Sequence, residues 1–110
     1  MKTRIAITSL LALTGSLLAE PVLLFENSDF EKGTLENWTS EGIAFQAQPT
    51  KGDNPSARGR SDGSKHQGDF WIGTYEAYNG KTGNPGKTQG DGLTGRLTSC
   101  EFTIEHPYLN

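Results

Sequence analysis

Glycine and proline interrupt this chain so often that a long helix cannot form after its first twenty residues. All but one of the 14 glycines lie at or after Gly33, and no stretch there has apolar residues three and four apart over three turns. Short runs rich in Val, Ile, Phe, Thr and Trp recur between Gly/Asn/Asp/Ser clusters, which is typical of strands. The predicted strands are 22–26, 38–40, 43–48, 70–75, 93–98, 102–105 and a stub at Tyr108. This series predicts an all-β fold, a two-layer sandwich rather than a barrel or an α/β unit.

The first nineteen residues have the layout of a secretory signal peptide. Lys2 and Arg4 precede an almost wholly apolar or small run over 5–18, and Ala19 is a small residue at the expected cleavage point. A membrane anchor is the alternative, but the run is shorter than the roughly 20 residues that span a bilayer. We therefore expect a secreted or periplasmic protein of residues 20–110 with no membrane attachment after cleavage.

The charge and the cysteine content narrow the partners. Removing Lys2 and Arg4 from the 10 basic residues leaves 8 against 13 acidic ones, a net charge of −5. An acidic chain without a basic stripe argues against nucleic acid, whose binding depends on Lys and Arg neutralising phosphates. Cys100 is the single cysteine, so it forms no internal disulfide and no metal framework.

Two glycine-rich loops, 49–69 and 79–92, are long for a compact domain and are either functional or solvated connections between sheets. Asp53, Asn54, Asp69 and Asp91 offer oxygens of the kind that Ca²⁺ binds, but they do not form a D-x-D-x-D/N pattern. We therefore expect no cofactor, and calcium remains the alternative.

No catalytic pattern is recognisable. The chain has no G-x-S-x-G motif, and its glycine-rich stretches do not have the spacing of a phosphate-binding loop. His66 lies in a glycine-rich loop and His106 precedes a proline, so neither is placed as a catalytic base. We expect this chain to have no catalytic residue and no metal ligand.

Aromatic residues are the best candidates for ligand contact. In the stretch DFWIGTY, strict alternation puts Phe70 and Ile72 on one strand face and Trp71 and Tyr75 on the other. Sugar-binding modules expose flat aromatic faces, so the predicted ligand-binding residues are Trp71, Tyr75 and Tyr78. The alternative is that the aromatic side chains fill a core that is poor in Leu and Ile.

Three stretches together resemble a known family: DFEKGTLENWTSEGIAF, FWIGTYEAYNGKTGNPGKTQGDGLTGRLTS and EFTIEHPYLN. They resemble the β-sandwich accessory domain of exported bacterial proteins. That domain occurs beside glycoside hydrolase family 32 catalytic domains (levanase and β-fructosidase type) and in exported proteins with cytochrome-c-like segments. The resemblance covers 24–110 and departs at Cys100, where the family usually has proline. The Trp-Met-Asn-Asp-Pro-Asn catalytic signature is absent, so the resemblance assigns no catalytic residue here.

The resemblance implies a fragment, because a Phe-Leu-Ile-Gly-Gly-Gly-like strand and the second half of the sandwich typically follow in that family. We expect 1–19 to be a signal peptide and 20–110 the first part of a jelly-roll-like module. Its expected role is non-catalytic and carbohydrate-associated: it packs against a catalytic or other domain of the same full-length chain, or holds polysaccharide near it. The implied parent is a glycoside hydrolase acting on O-glycosyl bonds. The alternatives are an accessory module of a large exported cytochrome-c-like protein of unknown function and a standalone secreted structural protein.

Overall fold

The computed structural model describes residues 22–105. The predicted signal peptide, His106 and the predicted strand stub at Tyr108 lie outside this range. The elements are β1 (Trp38–Gly42), β2 (Thr50–Lys51), the one-turn helix α1 (Asn54–Ala57), β3 (Phe70–Trp71) and β4 (Gly95–Ser99). No helix in the described range has the length and apolar character needed to cross a membrane.

The strands form two small antiparallel sheets. β1 pairs with β4, with Trp38 opposite Ser99 and Gly42 opposite Gly95. β2 pairs with β3, with Thr50 opposite Trp71. The structure is thus mostly non-helical with antiparallel pairing, which confirms the β-rich class predicted from the sequence.

Several predicted strands are wrong in position or extent. The predicted strands 38–40 and 93–98 correspond to β1 and β4 with shifted ends, and 70–75 shortens to Phe70–Trp71. Residues 22–26 and 102–105 form no strand, and 43–48 is mainly a turn. The loop predicted at 49–69 contains β2 and α1. In the second predicted loop, 79–92, Thr88 forms an antiparallel β-bridge with Glu76.

The turn that replaces the predicted strand at 43–48 follows from the end of β1. Gly42 has a φ of 76°, and an added Cβ would lie 2.7 Å from the carbonyl oxygen of Thr94. Directly after it, the N–H groups of Ile43 and Ala44 both donate to that oxygen at 3.1 Å. Glycine is therefore required where the chain leaves the sheet, because a side chain would meet both steric strain and the opposite backbone.

Polar side chains dominate the interior of the described range. The buried polar residues are Asn27, Gln48, Thr50, Asn54 and Glu76, and the buried apolar side chains are Ala44, Ala77, Pro49 and Pro55. Every buried side-chain nitrogen or oxygen atom among residues 22–105 has a hydrogen-bond partner. We call Gln48, Thr50, Asn54 and Glu76 the polar core.

A second packed region, the aromatic cluster, consists of Phe25, Phe30, Trp38 and Phe102. The Trp38 ring stacks on Phe30 at a centroid distance of 4.6 Å and meets Phe25 at 5.4 Å. Its indole N–H donates to the carbonyl of Asn27 at 3.0 Å. All four rings are only half-buried, so they form an open cluster rather than a closed core.

Glu31 ties the segment that carries this cluster to the rest of the molecule. Its carboxylate accepts hydrogen bonds from the backbone N–H groups of Asp69, at 2.7 Å, and Phe70, at 2.8 Å. Asp69 and Phe70 lie at the start of β3. The contact therefore holds the start of β3 against the segment that carries Phe25 and Phe30.

Candidate ligand-binding surface

The three aromatic residues predicted as ligand contacts all surround the segment 52–58, which contains α1. Trp71 hydrogen-bonds Gly52 of this segment, and the Tyr75 ring lies under the Arg58 guanidinium. Tyr78 lines a shallow cavity together with residues of the same segment. We call this segment and the three aromatic residues the α1 surface. The structure brings the predicted residues to one part of the molecule, although within 22–105 their rings do not stack on one another.

Asp53 starts α1 as its N-cap. One carboxylate oxygen accepts from the backbone N–H of Ser64 at 3.0 Å and of Ser56 at 3.2 Å, and the other accepts from the Ser56 hydroxyl at 2.9 Å. Pro55 in the first turn needs no N–H partner, which suits this position. The hydrogen bonds from Ser64 and Ser56 favour the ionised carboxylate and lower the pKa of Asp53 below its usual 3.8.

Asn54 links α1 to the second glycine-rich loop from inside the polar core. Its side-chain N–H₂ donates to the Glu76 carboxylate at 2.9 Å and to the carbonyl of Lys87 at 2.8 Å. Its side-chain oxygen accepts from the backbone N–H of Gly86 at 2.5 Å. One buried amide therefore joins α1 to the Glu76 side chain and to residues 86–87 of the second glycine-rich loop.

Glu76 is the charged member of the polar core. Both nitrogens of the Arg58 fork donate to its carboxylate, one of them at 3.2 Å. The Glu76 side chain is 5% exposed and that of Arg58 is 22% exposed, so this ion pair is largely shielded from solvent. Bidentate geometry of this kind fixes the direction of the guanidinium plane.

Gln48 connects the polar core to the β2–β3 sheet. Its amide N–H₂ donates to the carbonyl of Glu76 at 3.1 Å. Its oxygen accepts from the Thr50 hydroxyl at 3.0 Å and from the backbone N–H of Gly73 at 2.9 Å. The buried Gln48 side chain thus holds the backbone on both sides of Tyr75.

Trp71 is engaged with its own protein. Its indole N–H donates to the carbonyl of Gly52 at 2.8 Å, and its ring lies nearly parallel to the His66 imidazole at a centroid distance of 5.7 Å. A Cβ added at Gly73 would overlap the indole, so the ring lies directly against that glycine. These contacts make Trp71 a half-buried structural side chain with a restricted free surface.

The predicted shared face of Trp71 and Tyr75 is wrong. β3 ends at Trp71, and the N–H of Glu76 donates to the carbonyl of Gly73 at 3.0 Å to close a turn. Strand alternation therefore stops before Thr74, and the two aromatic side chains are not presented side by side.

Tyr75 is the most exposed of the three, at 43%. The Arg58 guanidinium carbon lies over its ring, 5.4 Å from the centroid, which is within the range of a cation–π contact. Tyr78 is half-buried and lines a shallow cavity of about 260 Å³ together with Lys51, Asp53 and Pro85. The α1 surface thus offers one exposed ring and one ring at the edge of a depression.

The residues considered for calcium do not come together. The Asp53 carboxylate caps α1, and the Asn54 amide is fully used inside the polar core. Within residues 22–105 there is no group of three or more His, Cys, Asp or Glu side chains placed to hold a metal ion.

Ser64 and His66 form the nearest approach to a nucleophile–base pair, since the serine hydroxyl hydrogen-bonds the Nδ1 atom of the imidazole. Asp53 accepts from the backbone N–H of Ser64 and not from the imidazole. Over the described range no carboxylate hydrogen-bonds His66, so the pair lacks the third group that orients a catalytic histidine.

Sequence reasoning missed Arg58 and Glu76 as parts of this surface. Charged residues are usually solvated, so an isolated acid between Tyr75 and Ala77 is expected to be exposed. The one available signal was a carboxylate flanked closely by aromatic and small residues.

The chain was also compared with known proteins. No family model, curated protein or solved structure matches the chain, so the comparisons add nothing to the geometry of the α1 surface.

Proposed function

We propose that this chain is a non-catalytic, carbohydrate-associated module of an exported protein, the first part of a jelly-roll-like sandwich. The observation that carries the proposal is Tyr75, a residue 43% exposed on a backbone that the buried Gln48 side chain holds on both sides. An accessible aromatic side chain on a fixed backbone, with hydrogen-bonding groups nearby, is suited to a sugar ring, which presents C–H groups on its faces and hydroxyls at its edge. The family resemblance supports the same role.

The proposed partner within the protein is another domain of the same full-length chain, either a glycoside hydrolase domain or a different exported domain. Large apolar side chains are exposed here as well: Ile43 is 50% exposed and Leu24 is 47% exposed. The buried hydrophobic residues Ala44 and Ala77, in contrast, have small side chains. Exposed apolar side chains of this kind are available to pack against a neighbouring domain.

Affinity electrophoresis of the exported chain in gels containing soluble polysaccharides tests the carbohydrate role. We expect retardation by at least one polysaccharide, with the fructans levan and inulin tested first. A variant with Trp71, Tyr75 and Tyr78 all replaced by Ala is expected to migrate as in a gel without polysaccharide. A variant with Phe at the two tyrosine positions keeps the rings and serves as the matched control. Unchanged migration of the wild-type chain across the whole panel would refute the carbohydrate role.

A further inference from the structure

We infer that Tyr75 is the stacking platform of the α1 surface and that this platform takes an uncharged sugar ring. Glu76 is a positioning residue, because it holds Arg58 over the Tyr75 ring. This inference rests on the proposed function and makes it more specific. It separates Tyr75 from Trp71 and Tyr78, which the sequence did not rank.

The Tyr75 ring is accessible while its backbone is fixed. The carbonyl of Tyr75 accepts from the backbone N–H of Gln89 at 2.8 Å, and the Gln89 side chain donates to the carbonyl of Thr74 at 2.6 Å. These bonds anchor the peptide on both sides of the Tyr75 Cα. The residue as a whole, in contrast, is 43% exposed, so a ligand can approach it from solvent without displacing the loop.

The Arg58 guanidinium limits where that ring can go. It lies over the ring at 5.4 Å from the centroid. Arg58 in turn cannot swing freely, because both nitrogens of its fork donate to Glu76. Glu76 is itself buried and accepts a further hydrogen bond from Asn54 at 2.9 Å.

A continuous series of contacts therefore runs from the fully buried Asn54 to the exposed Tyr75. A side chain that is already ordered loses less conformational entropy when a ligand binds, and this raises affinity without adding a contact to the ligand. Glu76 touches no ligand in this arrangement; it acts on binding only by holding Arg58 over the tyrosine.

The charges near the ring favour an uncharged ligand. The positive charge of Arg58 is already balanced by Glu76, and Arg60 is paired with Asp62 at 3.2 Å. The Arg60 guanidinium lowers the pKa of Asp62, which keeps that partner ionised. The guanidinium groups of Arg58 and Arg60 thus both have carboxylate partners, so neither offers an acidic sugar an unpaired positive charge.

Binding titrations of the exported chain test the inference, using the polysaccharide that retards it most and polygalacturonate as the acidic probe. We expect Tyr75→Ala to weaken binding at least about tenfold and Tyr75→Phe to stay within about twofold of wild type. Glu76→Gln and Arg58→Lys are each expected to weaken binding about fivefold. Glu76→Gln weakens the ion pair that holds Arg58, and in Arg58→Lys the lysine lacks the planar fork that lies over the ring. Arg60→Lys, in an exposed ion pair, is the matched control and should bind like wild type.

Each outcome has a definite reading. Because Glu76→Gln also removes a buried charge, thermal unfolding is measured for every variant, and Arg58→Lys tests the positioning role in a chain whose Glu76 is intact. Wild-type affinity in both Tyr75→Ala and Arg58→Lys would overturn the inference and leave the proposed function standing. Tighter binding of polygalacturonate than of every uncharged polysaccharide would overturn the uncharged ligand class. A wild-type chain that binds no polysaccharide would overturn both the inference and the proposed function.

Discussion

The aromatic cluster and the polar core contrast in a way that reverses the usual relation between polarity and burial. The cluster brings Phe25, Phe30 and Trp38 to centroid distances between 4.6 and 5.4 Å, yet its rings stay half-buried. In the polar core, Asn54 is 1% exposed and Thr50 is 0% exposed. The most enclosed part of this molecule is therefore held by hydrogen bonds, and its most apolar part lies open to solvent or to a partner.

The two regions should respond differently to mutation. Apolar contacts in an open cluster weaken gradually when one ring is removed, since water can fill the space. A buried hydrogen-bond network fails more sharply, because the loss of one member leaves its partners desolvated and unpaired. The following experiments measure that difference.

The largest effect is expected for Asn54→Asp. This change removes the two donors that serve Glu76 and the carbonyl of Lys87, and it places a second carboxylate beside Glu76. We expect the free energy of unfolding, measured in urea, to fall by about 3–5 kcal/mol. Asn84→Asp, at an exposed position, is the control. A loss below about 1 kcal/mol would show that the polar core does not hold this fold together.

A smaller loss is expected for Trp38→Ala. The change removes the stacking on Phe30 and the hydrogen bond to the carbonyl of Asn27, but from a half-buried site. The free energy of unfolding should fall by about 2 kcal/mol, less than for full burial. Trp38→Phe keeps a ring in place and should cost about half as much. If Trp38→Ala proved more damaging than Asn54→Asp, the contrast between the two regions would be reversed.

The smallest effect is the pH dependence contributed by Asp53. Hydrogen bonds from Ser64 and Ser56 lower its folded-state pKa below 3.8, its usual value. A lowered pKa means that the stabilisation is present above the unfolded-state value and is lost as the pH falls through the folded-state value. Urea midpoints measured from about pH 5 to about pH 2 should fall less steeply for Asp53→Asn than for wild type. Asp91→Asn, at an exposed site, is the control; an identical slope for wild type and Asp53→Asn would contradict this assignment.

The sequence was a good guide where the signal is local. The glycines and prolines of the chain after Gly33 rule out long helices, and short apolar runs flanked by turn residues indicated β1 and β4. The segment 43–48 was misjudged for the opposite reason. Its apolar residues resemble a strand, but the turn depends on Gly42 meeting the carbonyl of Thr94, about fifty positions further along the chain.

The candidate site shows the same division. The sequence identified Trp71, Tyr75 and Tyr78 as aromatic residues worth testing, and the fold places all three around α1. It could not distinguish between them. Trp71 is engaged by Gly52, nineteen positions earlier in the chain, and by the His66 ring, and the residue pattern indicates neither contact.

By itself, then, the amino-acid sequence determined the β-rich class, the acidic charge and the exclusion of long helices after Gly33, because these depend on the residue types and their immediate neighbours. Only the tertiary structure decided that Gln48, Asn54 and Glu76 would be buried and that Tyr75 would stay exposed. The physical reason is that a polar side chain can leave water only when every donor and acceptor finds a partner. The partners of Asn54 lie at Glu76, Gly86 and Lys87, and folding alone brings them within reach.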